Sequence, residues 1–208
     1  MRTDIQLAVN ISKLISSRSP KKGHISISCQ VLGGVRHITF ISMSNDDFTD
    51  SYSLLERIAD ITNTDKRKET WANPHFLGMW ESVKARVMSE ISQKESLPIV
   101  LSGHGVGGAV ALIAGYYLTM KGKNLTRVVT FGSPGSLNYR KAHNSFVDQL
   151  QRVSEQYTMK RDKMPNLFRF TKYFSAKRTE LNVAGIPSLT QTLDDYIESL
   201  VYFSALHA

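Results

Sequence analysis

Pro98-Ile-Val-Leu-Ser-Gly-His-Gly-Val-Gly-Gly-Ala-Val-Ala-Leu-Ile-Ala-Gly-Tyr-Tyr-Leu118 decides the fold of this chain. A short apolar run, Ile99 to Ser102, meets a cluster of glycines, and a helix of small and apolar residues follows it. Such a run encodes a buried strand, a sharp turn and a helix that packs close to the strand. When a turn of this kind carries a nucleophile it reads Gly-x-Ser-x-Gly: the serine tops a strained turn, and the flanking glycines let strand and helix approach. Here the segment is Gly103-His104-Gly105-Val106-Gly107, with Gly108 behind it. The attacking hydroxyl is missing from its position.

Outward from the turn, the pattern alternates. Phe76 to about Glu95 reads as a long helix feeding the strand, and Arg127 to Phe131 as the next strand. A helix from about Tyr139 to Tyr157, a strand from Leu167 to Phe174 and a closing helix from about Leu193 to Ala205 are expected after it. Alternating strands and helices imply a mainly parallel sheet. Toward the N-terminus, Ile5, Leu7, Ile11, Leu14 and Ile15 recur at helical spacing, and Ser19-Pro20 ends that helix. Ile25 to Leu32 and Val35 to Ile41 alternate as strands around Gly33-Gly34, a hairpin signal because both central residues of a type I′ turn take positive φ. A helix is expected from about Ser51 to Asp60, and a charged loop from Asn63 to Thr70. With 208 residues, 41% of them hydrophobic, the expectation is one α/β domain over residues 1–208, with no internal repeat or linker.

Four landmarks, in order, carry a resemblance to a known family. They are the Gly103–Gly108 turn, the helix Phe76-Leu-Gly-Met-Trp-Glu-Ser-Val-Lys84, the segment Val128-Val-Thr-Phe-Gly-Ser-Pro134, and Gln191-Thr-Leu-Asp-Asp-Tyr-Ile-Glu-Ser-Leu200. Together they resemble the class 3 (fungal-type) lipases, whose turn commonly runs Gly-His-Ser-Leu-Gly-Gly-Ala. The resemblance spans about residues 71 to 200 and implies a three-layer α/β-hydrolase sandwich with an antiparallel N-terminal hairpin. Carried over residue by residue, it places the nucleophile at Gly105 and, from the Tyr196-Ile197 register, the histidine at Gln191. The family's acid follows a strand, for which Asn166-Leu-Phe-Arg-Phe-Thr-Lys-Tyr-Phe-Ser175 is read, so the acid falls at Phe174 or Ser175. No triad member survives in this reading. Val106 keeps the backbone N–H of an oxyanion hole, while the family's Arg-Gly-Thr, expected near Phe40-Ile-Ser-Met-Ser44, is absent. The helix signature His-x-Gly-Phe reads Asn73-Pro-His-Phe76.

Loss of a whole triad costs on the order of a million-fold in turnover, about 8 kcal/mol of transition-state stabilisation. Three losses together read as natural degeneration rather than one engineered change. His104 beside the turn is read as structural support. The six histidines show no metal-ligand spacing, so no metal is expected, and no nucleotide motif calls for a cofactor. Cys29, the single cysteine, is read as a buried small hydrophobe. The start Met1-Arg-Thr-Asp-Ile-Gln6 lacks a basic stretch feeding a long apolar run, and no run is long enough to span a bilayer, so a soluble, intracellular protein is expected.

The net charge of +8 is uneven: residues 1–104 carry +2 and residues 105–208 carry +6. Arg140 to Arg178 hold ten Lys/Arg against Asp148, Glu155 and Asp162, interleaved with Tyr157, Phe168, Phe170 and Tyr173. This segment is either a surface for an anionic partner or a solvated face with its aromatics in the core. Three functions stay open: a pseudo-hydrolase reused for binding, scaffolding or assembly with a protein partner or a second copy; a hydrolase of esters or lipids with an unconventional site; and a module that keeps the acyl pocket and holds a lipid uncleaved.

Overall fold

The hairpin at the sheet edge closes on Gly33 and Gly34, at φ +57° and +78°, in the left-handed region that a type I′ turn requires. It joins β1 (Ser26–Leu32) to β2 (Val35–Ile41) in antiparallel register from Leu32↔Val35 to Ser26↔Ile41. The computed structural model describes residues 2–17, 24–42, 71–93, 96–138, 142–160, 162, 164–166, 173–174, 178–181 and 192–206. The helix expected from Ser51 to Asp60 and the loop from Asn63 to Thr70 lie outside them.

Beyond the hairpin the sheet is parallel. β3 (Ile99–His104) pairs with β2, β4 (Leu125–Phe131) with β3, β6 (Ser154–Met159) with β4, and β8 (Arg178–Leu181) with β6. The six-stranded order is β1-β2-β3-β4-β6-β8, and β5 (Leu137–Asn138) and β7 (Tyr173–Phe174) form a separate antiparallel pair.

Helices cover both faces. On one lie α2 (Pro74–Ser92), α3 (Val106–Met120) and α4 (Asn144–Val153); on the other, α1 (Arg2–Ser17) and α5 (Leu193–Leu206) pack on each other. α2 starts where its sequence says it should: the Asn73 side chain accepts the His75 N–H, and Pro74 fills the first turn. It buries Phe76, Trp80, Val83, Val87 and Ile91, one stripe at helical spacing. At its other end the buried Arg36 guanidinium donates to the Ile91 carbonyl at 3.0 Å, a cation on the negative end of the helix. α3 is apolar on every side and buried on nearly all of them, which is how a central helix reads. α5 opens with a capping box: the Asp195 N–H donates to Thr192 Oγ1 at 3.3 Å and the Thr192 N–H to Asp195 Oδ2 at 2.6 Å.

Two expected elements are corrected. The helix read from Tyr139 to Tyr157 covers only Asn144–Val153, and its expected tail, from Ser154 on, is β6, the strand that pairs with β4. The strand read from Leu167 to Phe174 is no member of the six-stranded sheet in its described part: Tyr173 and Phe174 pair with Asn138 and Leu137 in the small sheet. Tertiary pairing overrides local composition here, because β6 is polar and mixed while Phe168 to Phe174 is aromatic.

α3 lies backbone to backbone on β2 and β3. A Cβ on Gly107 would overlap the Phe40 carbonyl oxygen of β2, and one on Gly103 would lie 2.5 Å from the Gly107 carbonyl carbon. Gly107→Ala is therefore expected to cost at least about 3 kcal/mol, since backbone cannot swing aside. Gly78→Ala, where a Cβ meets nothing within 4 Å on an exposed turn of α2, should add about 0.5–1 kcal/mol. Denaturant melts of the two variants check the contrast.

Candidate functional site

β3 runs through His104 and turns at Gly105 into α3. Gly105 sits at φ +53°, ψ −122°, and among the described residues only glycines have positive φ. Its N–H donates to Phe131 O of β4 at 2.8 Å, and its carbonyl accepts the Ala109 N–H at 3.2 Å, so the turn is pinned on both sides. A Cβ at Gly105 would meet nothing within 4 Å. Among the described residues no atom opposes a Cβ there; what opposes serine is the torsion, worth about 1–3 kcal/mol in a residue with a Cβ. Val106 is buried at the head of α3, whose first turn carries no acidic residue and no side-chain cap. That turn presents backbone N–H groups and the positive end of a 15-residue helix. Gly108 packs against Ser133, whose Cβ would be 2.9 Å from an added Cβ.

On the α5 side of the turn lies a buried cluster. The His104 ring meets Tyr196 edge-on at 5.9 Å, and burial pushes its imidazole down to about 4, leaving it neutral. Tyr196 packs against Phe131 at 6.1 Å and donates its hydroxyl to Asp162 Oδ2 at 2.5 Å. The Met164 N–H donates to Asp162 Oδ1 at 2.9 Å. Asp162 is 5% exposed, and burial raises its carboxyl to about 6 against these two hydrogen bonds, which favour the charged form. It also abuts the turn after β4: a Cβ on Gly132 would lie 2.6 Å from Asp162 Oδ2.

The strand behind the expected acid position is corrected. The strand following β4 in the sheet is β6, and Asp162 stands three residues beyond its end at Met159. The carboxylate that follows that strand is Asp162, whereas the segment on which Phe174 or Ser175 was read lies outside the six-stranded sheet in its described part. Phe174 pairs with Leu137 in the small sheet, and Ser175 lies outside the described residues. The signal was present as Tyr157 and Met159 alternating into the core, then Asp162, then Met164-Pro165.

Gln191 also lies outside the described residues. One helical turn before Tyr196, Leu193 is buried in the same cluster as Phe131 and Tyr196, and it carries no titratable group. The segment expected to supply the second oxyanion donor ends β2 at Ile41, and residues 43 and 44 are outside the described set. His75 is at the start of α2 against Phe76, with its pKa lowered by burial. Cys29 is half-buried against the larger core, where burial raises its thiol pKa. In the basic segment Tyr157 turns into the core while Arg152 and Lys160 are exposed. Among the described residues no three His, Cys, Asp or Glu gather to hold a metal, and no helix is long and apolar enough to cross a membrane.

A family model described as lipase (class 3) matches residues 22–172. Among solved structures, a lipase of Yarrowia lipolytica superposes with a TM-score of 0.57 at 20% identity, over 83% of this chain and 67% of that one. A Rhizomucor miehei lipase in complex with its propeptide gives 0.57 at 17%, over 88% and 63%. Lipase II from Rhizopus niveus gives 0.54 at 16%, over 98% and 91%. At these identities the likeness concerns the fold. No curated protein matches the chain.

The Asp162 carboxyl makes a pH prediction with a definite sign. Its pKa rises from the ordinary 3.8 to about 6 on folding, so its contribution to stability is fully present below about 3.8 and lost as pH rises through about 6. Going from pH 7 to pH 5 should stabilise the protein by about 1 kcal/mol through this group, roughly 2–4 °C in melting temperature. His104 is already neutral across that window. The gain is measured as the difference between the protein and Asp162→Asn, in which it should vanish.

Proposed function

Because the chain belongs to the class 3 lipase family, we propose that it is a non-hydrolytic member, a pseudo-hydrolase whose frame serves binding. One observation carries the reading. The tip of the strand-to-helix turn is Gly105, in the nucleophile's strained conformation and with no oxygen to attack from. A serine hydrolase needs a hydroxyl there and a base within hydrogen-bond reach of it. The one described imidazole in the cluster, His104, packs edge-on against Tyr196, and the helical turn ahead of Tyr196 presents Leu193. The retained acid, Asp162, has Tyr196 as a hydrogen-bond donor where a triad would have an imidazole.

A second reading, a lipid held without cleavage, draws on the same turn. Gly105 lies at the head of α3, whose N–H groups and dipole favour a carboxylate or a polarised carbonyl. In both readings the chain binds without turnover, as a scaffold with a protein partner, as a homo-oligomer, or as a lipid carrier. Extraction of the purified protein with organic solvent, followed by mass spectrometry, separates them: a stoichiometric acyl lipid marks the carrier.

The purified protein should take no label from a fluorophosphonate probe and should leave a panel of aryl esters intact. Gly105→Ser alone should restore no turnover, because its hydroxyl would have no base, and it should destabilise the fold by about 1–3 kcal/mol. Adding a histidine at Gln191 to that variant supplies the base against an acid already in place, and measurable hydrolysis is expected only then. Labelling of the unmodified chain, or ester turnover in the single variant, would return the protein to the active hydrolases.

A further inference from the structure

Among the described residues five large apolar side chains are exposed, and three of them stand at the end of the sheet opposite Gly105: Val31 at 48%, Leu32 at 50% and Met120 at 41%. Val31 and Leu32 close β1 at the hairpin turn, and Met120 is the last residue of α3, the helix that starts beside Gly105. Backbone hydrogen bonds join these places into one surface. Val35, the partner of Leu32, leads into Arg36, whose N–H donates to the Pro98 carbonyl at 2.8 Å. The next residue, Ile99, donates its N–H to the Asn124 carbonyl at 2.8 Å, and Asn124 Nδ2 donates to the Ser96 carbonyl at 3.4 Å. The hairpin turn, the segment ahead of β3 and the end of α3 therefore lie side by side.

The charge carried there has one sign. Segments 30–34, 120–126 and 151–152 hold Lys121, Lys123 and Arg152 and no acidic residue. Lys121 and Arg152 are exposed, at the ends of α3 and α4. The carboxylates of neighbouring elements are engaged. Asp4 and Glu155 close an ion cluster on Arg127, at 2.6 and 2.8 Å, and both accept from the Tyr157 hydroxyl, while Glu90 faces the Cys29 thiol. At the elbow end, by contrast, the first turn of α5 carries Asp194 and Asp195.

We infer that this end of the molecule docks on an anionic bilayer, with Val31, Leu32 and Met120 entering the headgroup region and Lys121, Lys123 and Arg152 lying against lipid phosphates. Apolar insertion and positive charge are the two attractions a peripheral protein combines, and both are present on one end. The apolar side chains project from separate places, a hairpin turn and a helix end, with glycines beside them at positions 33, 34 and 122. A protein interface has a contiguous apolar core, whereas a fluid headgroup layer accepts separate prominences. The 15 residues of α3 put about 22 Å between this surface and the turn, so docking leaves Gly105 facing away from the bilayer and does not depend on the state of the elbow.

The test is co-sedimentation of the full chain with vesicles of phosphatidylcholine alone and of phosphatidylcholine mixed with phosphatidylserine, followed by hydrogen exchange on the bound protein. Expected are binding to the anionic vesicles only, a fall in binding as salt is raised, and protection at residues 31–34 and 120–124. Lys121→Gln with Lys123→Gln should weaken binding by about fivefold for each lysine. Leu32→Gln with Met120→Gln should weaken it too, with the melting temperature unchanged because both side chains are exposed. Lys160→Gln removes an exposed cation just past the other end of β6 and should leave binding as it is. Equal binding to both vesicles, binding to neither, protection at the Gly105 turn instead, or an equal loss in Lys160→Gln would overturn the proposal. Protection of the same residues without vesicles, growing with protein concentration, would overturn it in favour of a second copy of the chain.

Discussion

The backbone of α3 lies directly on the backbone of β2 and β3, and the rest of the structure hangs on that contact. Gly103 and Gly107 admit no Cβ because the carbonyls of Gly107 and Phe40 occupy the space. With nothing between them, the strand can end, reverse through one residue and become a helix, and α3 is seated among α2, α4 and the sheet. The same closeness dictates the strained torsion at the turn: Gly105 is held by the Phe131 carbonyl on one side and gives its own carbonyl to the first turn of α3 on the other. In an active enzyme that strain is the cost of lifting a hydroxyl clear of the surface. Here a residue without a Cβ occupies the position and the strain is gone, while the packing that created it remains.

Packing and catalysis are therefore separable in this fold. Truncating apolar contacts in the core costs several kcal/mol at each large residue, so Phe76, Trp80 and the apolar face of α3 stay fixed whether or not chemistry takes place. Polar groups beside the turn carry part of that burden too. Asp162 is a buried carboxylate whose oxygens accept from Tyr196 and the Met164 amide, and Tyr196 is in turn a packing partner of Phe131 and His104. Removing the acid would orphan a buried hydroxyl and an amide at the joint between α5 and the sheet. Asp162 thus has a structural use in this fold that does not depend on chemistry.

Much of this was legible in the sequence wherever one local rule acted alone. Gly33-Gly34 marked the hairpin turn, since glycine takes positive φ at both central positions of a type I′ turn without strain, and the glycine cluster with its apolar flanks marked the elbow. The strand before Asp162 was misread because β6 breaks two rules at once. It follows α4 with no loop between Val153 and Ser154, so nothing punctuates the change of period, and Ser-Glu-Gln-Tyr-Thr-Met lacks a continuous apolar run. The strand is polar because Glu155 and Gln156 do specific work. Glu155 closes the ion cluster with Arg127, and the Gln156 amide donates to the Ser133 carbonyl below the elbow. The more strand-like segment, Phe168 to Phe174, drew the register away from Asp162.

The ion cluster also explains why the N-terminal helix belongs to the domain although the family match starts at residue 22. α1 covers the second core with Leu7, Ala8 and Ile11, and its Asp4 is 1% exposed. A carboxylate buried to that degree is tolerated only when paired and hydrogen-bonded, and Arg127 with Tyr157 meets both conditions. The same contact fixes the register of α1, since sliding the helix by one turn would leave Asp4 without its cation and Arg127 with Glu155 alone. Ser12, bonded to Asp194 at 2.9 Å, ties the far end of α1 to the first turn of α5. Through α5 and Tyr196 that connection reaches Asp162, so the helix that precedes the family match and the acid beside the empty elbow are parts of one packed layer.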